Sequence, residues 1–200
     1  MWRTAGLALL LAACGESGPA ADASPCNPVE TPVARAQGVH IPITETPTYT
    51  SNPPASGPHY PVWTRWSRVY DTPIPRGYYV HNQEHGGVTL LYNCPTGCPD
   101  IVAQLASLAG SLPIDPACTP PRTGRWIVTP DPLLPPGVTV AAGSWSAIYT
   151  ASCVDVATLT RFYREHEGAG PEDTCAEGGY PPLVDGGPDG GPADAGVDAN

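Results

Sequence analysis

The sequence predicts an α+β fold: a small single domain with a short-stranded sheet, two main helices and a long ordered loop rich in Pro, Gly and aromatic residues. Three observations carry this expectation. Compact apolar runs of strand length recur beyond residue 87. Two amphipathic segments in the same region carry helix start and stop signals. The stretch from Asn52 to Gly77 holds too many Pro and Gly residues for one regular element.

Taken in order, the chain of 200 residues opens with one basic residue, Arg3, and an apolar run from Ala5 to Ala13. The run is too short to cross a bilayer as a helix and has the plan of an export signal. It ends in LAAC, which resembles a bacterial lipoprotein cleavage site. Residues 1–13 are therefore expected to be a signal peptide and Cys14 the acylated first residue of the mature chain. Lipid on Cys14, palmitate among the acyl groups, would anchor the protein to an envelope membrane on its extracytoplasmic side. Residues 14–37, small, polar and proline-containing, are expected to form a lipidated tether. The domain is expected over residues 38–177, and the Gly/Pro/Asp-rich residues 178–200 as a disordered tail with little to bury.

Within the domain, Val39 to Ile43 is a short apolar segment whose Pro42 suits an edge strand. Tyr78 to His85 fits either a strand or two helical turns, and Gly86-Gly87 ends any helix. Val88 to Tyr92, Trp126 to Thr129, Val138 to Ala142 and Ser146 to Thr150 predict strands, four or five in all. Pro99 and Asp100 introduce a helix with Ile101, Leu105 and Leu108 on one face, stopped by Gly110. Asp155 can cap a second, with Val156, Leu159, Phe162, Tyr163 and His166 on its apolar side and Gly168 at its end.

Composition narrows the function classes. The formal charge is −10, all nine basic residues are arginines and none form a patch, which argues against nucleic acid. Export makes disulfides plausible. With Cys14 set aside, Cys26, Cys94, Cys98, Cys118, Cys153 and Cys175 allow three bridges, and the pairing stays open.

The chemistry concentrates between Asn52 and Tyr92, which hold three of the five histidines, His59, His81 and His85. If helical, His81 and His85 project from one face, close enough to share an ion. Two imidazoles are too few for a protein-held zinc site, and the rigid Pro53-Pro54 and Pro58 segment offers a way to bring His59 back to them. A divalent metal, zinc or copper, held by His59, His81 and His85 with His40 as a fourth ligand is the first expectation. Glu84 is then a ligand, an acceptor that orients a histidine, or a general base. HxxEH also matches inverted zinc peptidases, so a metal-dependent hydrolase with Glu84 as base, completed by Glu165, Glu167 or His59, is an alternative. A structural or interaction domain of the envelope without metal, facing an envelope protein or small ligand, is the other. The sequence leaves open whether the protein is an enzyme.

NPPASGPHYPVW, then SRVYDTPIP and VHNQEHGGVTLLY, resembles the bacterial family known as domain of unknown function 3105. Pro53, Pro54, Ser56, Gly57, Pro58, His59, Trp63, Tyr70, Asp71, His81, Glu84, His85 and Gly86 carry the resemblance, with GPE at 170–172 as a weaker echo. It spans residues 38–174. Ala55, Arg68, Gln83 and the Ala147-Ile148-Tyr149 run depart from the usual wording, at positions that affect packing rather than the histidines. The family carries no established activity, so the resemblance implies membership and not a reaction.

Overall fold

The computed structural model describes residues 24–181. The expected signal peptide at 1–13, the acylation of Cys14 and all but the first few residues of the expected tail lie outside the described residues. In chain order the elements are β1 (Val29–Pro32), β2 (Val39–His40), β3 (Pro58–His59), β4 (Arg68–Val69), α1 (Arg76–Glu84), β5 (Val88–Tyr92), α2 (Pro99–Ser111), β6 (Trp126–Pro130), β7 (Val140–Ser144), β8 (Ala147–Ala151) and α3 (Val156–His166).

Six strands form one mixed sheet in the order β1-β8-β7-β5-β6-β4. β5 sits at its centre, antiparallel to β7 and parallel to β6, with Leu90 opposite both Ala142 and Val128. β5, β6 and β7 are buried nearly throughout, because both faces of the sheet are covered. Val88, Leu90, Trp126, Val128, Val140 and Ala142 face Leu105 and Leu108 of α2 and Leu159, Phe162 and Tyr163 of α3. The alternate residues Leu91, Ile127 and Ala141 face the other way, onto Tyr79 and Val80 of α1 and onto Trp66, Ile74 and Trp145. The sheet therefore separates two helices from a third layer made of α1 and the long loop.

The two expected main helices are present. Asp155 caps α3 by accepting a bond from Thr158 N–H at 3.0 Å. Pro99 and Asp100 open α2 as expected, but α2 continues through Gly110 to Ser111, within the usual uncertainty of a helix end. The third helix, α1, resolves the ambiguity over Tyr78 to His85. Its end is a Schellman turn: Gly87 N–H bonds Asn82 O at 2.8 Å, Gly86 N–H bonds Gln83 O at 3.0 Å, and Gly86 takes φ +82°.

β2 falls within the segment expected as an edge strand but is only two residues long, and β3 and β4, also of two residues, carry no periodicity and add to the expected number. β1 lies inside the stretch 14–37 expected as a tether. It pairs along its whole length with β8, Val29 opposite Thr150. From residue 24 that stretch is folded onto the domain, pinned by a disulfide between Cys26 and Cys153. At the other end Tyr180, inside the expected tail, stacks on Tyr78 with ring centroids 3.6 Å apart and bridges to Thr64.

The long loop is ordered by polar attachments to α1 rather than by regular structure. Asn82 accepts from Thr64 N–H at 2.9 Å and donates to Thr64 O at 2.7 Å. Gln83 Nε2 donates to Pro54 O at 3.1 Å and to Thr89 Oγ1 at 3.0 Å. Arg76 reaches Asn52 at 2.7 Å and Asp131 at 2.9 Å.

The other two disulfides join Cys94 to Cys98 and Cys118 to Cys175, so all six described cysteines are paired. Cys26 and Cys153 are 127 residues apart in sequence, Cys94 and Cys98 only 4. Chain entropy then assigns about 5 kcal/mol to the first bridge and about 2 kcal/mol to the second. Urea unfolding of a Cys26→Ser/Cys153→Ser variant is expected to show the larger loss, and of Cys94→Ser/Cys98→Ser the smaller. Asn82→Ala, which strands a buried N–H and C=O of Thr64, is expected to lower stability by about 3 kcal/mol in the same assay.

Candidate metal centre

α1 buries five polar residues in succession, His81, Asn82, Gln83, Glu84 and His85. Such a run is unusual in an interior, since each polar group buried without a partner costs roughly 1–3 kcal/mol. Asn82 is accounted for by the loop and Gln83 Nε2 by the loop and Thr89 of β5, while Gln83 Oε1 has no partner. His81, Glu84 and His85 point elsewhere, at i, i+3 and i+4 on one side of the helix.

His59 meets them from β3. That strand pairs in parallel with β2, with His40 and His59 as register partners, so two further imidazoles arrive side by side. Ring centroids of His40, His59 and His81 lie 4.7–5.0 Å from one another. His59 is fully buried, whereas His40 is exposed and closes the solvent side.

The backbone fixes which nitrogen of each inner ring is free. His59 Nδ1 lies 2.9 Å from Gly57 O, and His81 Nδ1 lies 2.6 Å from Tyr60 O. A carbonyl only accepts, so each Nδ1 carries a proton, and in the neutral ring Nε2 is the nitrogen with the lone pair. His59 Nε2 faces Glu84 Oε2 at 2.8 Å, and His81 Nε2 is 4.0 Å from the same oxygen. His59 Nε2, fully buried, makes no hydrogen bond of good geometry there. Burial, and then His85 beside it, push the His81 pKa down to about 3, so this imidazole is neutral at ordinary pH. A neutral ring with one nitrogen held by a carbonyl is the form in which histidine binds metal through the other, and His81 Nε2 meets His85 Nε2 at 3.1 Å in this arrangement.

One ligand atom from each of His40, His59, His81 and Glu84 lies within 4.8 Å of the others. Clusters of His and Glu side chains are thus arranged so that they could hold a divalent ion. Of the expected residues, His40, His59 and His81 come together. Glu84 joins them, its Oε2 facing His59 Nε2. His85 falls outside this group, although its Nε2 is only 3.1 Å from that of His81. It forms a second group with Glu84 and Glu172, its Nε2 lying 3.0 Å from Glu172 Oε2. Burial lowers the His85 pKa, while Glu172 acts in the opposite sense.

The carboxylates considered for completing an HxxEH site are elsewhere. Glu165 lies with Glu30 and His166, and Glu167 takes the Tyr163 hydroxyl. Sequence reasoning passed over Glu172 as a donor, though it belongs to the GPE run at 170–172. It also passed over Gly38. A Cβ there would lie 1.9 Å from Glu84 Oε1, so only glycine lets the backbone approach the carboxylate this closely. Trp63 covers the outer side, its ring centroid 4.3 Å from that of His85 and 5.0 Å from that of His81, with its indole N–H held by Ala176 O.

No helix among the described residues is long and apolar enough to cross a membrane. Neither the curated proteins nor the solved structures include a match to the chain. The family described as "Protein of unknown function (DUF3105)" matches residues 40–179, which takes in His40, the whole long loop, α1 and Glu172. On that match, spanning well over half of the chain, the protein belongs to the DUF3105 family.

Proposed function

We propose that the protein is a lipid-anchored, extracytoplasmic domain of the bacterial envelope that binds one divalent ion, zinc or copper, through His59, His81 and Glu84. His40 is the outer ligand. The observation that carries this reading is the confrontation of His59 Nε2 with Glu84 Oε2 at 2.8 Å, with the His59 proton committed to Gly57 O on the far side of the ring. In the neutral ring two buried acceptors face each other at that separation, and a divalent ion shared between them relieves the repulsion as a second proton on the ring would. Three imidazoles and one carboxylate make a borderline donor set, which suits zinc or copper and disfavours calcium or magnesium.

The anchor at Cys14 rests on the sequence alone, on LAAC at the end of a short apolar run. Binding to an envelope protein without metal is the competing reading. It would leave the buried Nε2 of His59 without a hydrogen bond.

Metal analysis of the untagged chain is expected to find bound ion at stoichiometric level, and an ion-free protein would sink the proposal. His59→Ala and His81→Ala are each expected to abolish retention. Glu84→Gln is expected to weaken it by about 100-fold or more, beyond the loss for a residue that merely orients a ligand. His40→Ala, at the exposed edge, is expected to cost about tenfold.

Gly38→Ala separates geometry from ligand chemistry. It removes no donor, but its methyl group displaces the Glu84 carboxylate. Calorimetric titration is expected to show weakened binding with the unfolding midpoint little changed. Unaltered affinity would mean that Glu84 is not a ligand.

A further inference from the structure

The site just described does not use His85 or Glu172. His85 is 4 % exposed, and its Nδ1 has no hydrogen-bond partner, so no carbonyl commits its proton to one nitrogen as happens in His59 and His81. Its Nε2 lies between His81 Nε2 at 3.1 Å and Glu172 Oε2 at 3.0 Å. One ligand atom each from Glu84, His85 and Glu172 lies within 4.8 Å of the others, and Glu84 belongs to both groups.

Glu172 is delivered to this place by a built segment. Gly168 N–H bonds Gly86 O at 2.8 Å and Glu172 N–H bonds Glu84 O at 3.0 Å, docking the chain after α3 onto the end of α1. Between them Gly170 passes so close that a Cβ would fall 2.3 Å from Glu84 O and 2.4 Å from Gly86 N. Arg125, itself buried, ties the same junction together through His85 O at 3.2 Å, Asp115 at 2.6 Å and Asp173. An exposed glutamate that merely met a histidine by chance would need none of this.

We propose that Glu84 bridges two divalent cations, the first on His40, His59 and His81, the second on His85 and Glu172. The string of donors fits such a pair. Ligands that share one ion stand about 3–4 Å apart, and paired ions about 3.5–4 Å apart. In the first group His59 Nε2 stands 2.8 Å and His81 Nε2 4.0 Å from Glu84 Oε2, in the second His85 Nε2 stands 3.0 Å from Glu172 Oε2, and the two groups meet where His81 Nε2 and His85 Nε2 lie 3.1 Å apart. The two places differ in chemistry. The first has three imidazoles around one carboxylate and is buried except at His40. The second has one imidazole and two carboxylates, and the Glu172 side chain is 60 % exposed. It takes a harder, more exchangeable ion and keeps positions open to water or to an oxygen-donor ligand. This inference rests on the metal-binding reading of the first site.

The test counts ions on the untagged full-length chain titrated with zinc, then repeats the titration with cobalt(II), followed by paramagnetic resonance. About two zinc ions per chain are expected. Glu172→Gln and His85→Ala should each reduce this to about one, and the retained first ion reports that those variants still fold. The first cobalt equivalent should give a signal that the second alters by spin coupling. A single ion per chain, unaffected by Glu172→Gln, would overturn the second site and leave the first standing. No bound ion would overturn both. Two ions without coupling would show that Glu84 does not bridge them, and so would also overturn the proposal.

Discussion

Within nine residues of helix and its cap, α1 sends five polar side chains in succession into the interior, and water is not there to receive them. The long loop is the answer to that demand. Thr64 gives Asn82 both a donor and an acceptor, Pro54 and Thr89 receive Gln83, and Tyr60 receives His81. Each attachment is worth little by itself, but an unmade one costs roughly 1–3 kcal/mol. The loop is therefore ordered without regular structure, and its order is what brings His59 to Glu84. Structure and site share one cause.

The histidines also show how a structural role and a ligand role can be told apart in one ring. A histidine that only fills space satisfies both nitrogens locally. His59 satisfies one nitrogen, on the carbonyl two residues before it, and turns the other toward a carboxylate, while His81 sets Nδ1 on the carbonyl one residue after His59 and shares Nε2 with His85. Both carbonyls come from the segment around β3, so the same backbone that places His59 also sets the proton of His81. Pro58 and Gly57, with φ +115°, hold that segment in a shape most residues would resist.

Much of this fold was legible. β5 to β8, α2 and α3 follow from apolar runs and caps, and Gly86-Gly87 marked the end of α1 before α1 itself was certain. The helix was obscure because its buried side is polar, so no hydrophobic period announces it. β1 was obscure for the opposite reason. Exposed throughout and containing Pro32, it reads as linker, and only its pairing with β8 and the Cys26–Cys153 bond make it part of the sheet. The meeting of His59 with His81 could be argued from ligand number and a rigid proline segment. The separation of His85 from that group could not, since i, i+4 spacing puts two rings on one face without saying which donor each will turn to. Glu172 lay eighty-seven residues beyond its partner His85, and no local pattern connects them.

The Cys26–Cys153 bond also fixes a path for force. Tension arriving from the residues before 24 would enter at Cys26 and cross by covalent linkage to Cys153, where β8 leads into α3. β1 lies behind that crossing and carries no load, so its ladder with β8 would not be peeled from the edge. Strain would pass instead into the apolar layer of Leu159, Phe162 and Tyr163, on the face of the sheet opposite α1. A domain held by its amino end would thus be pulled on the face of the sheet opposite α1.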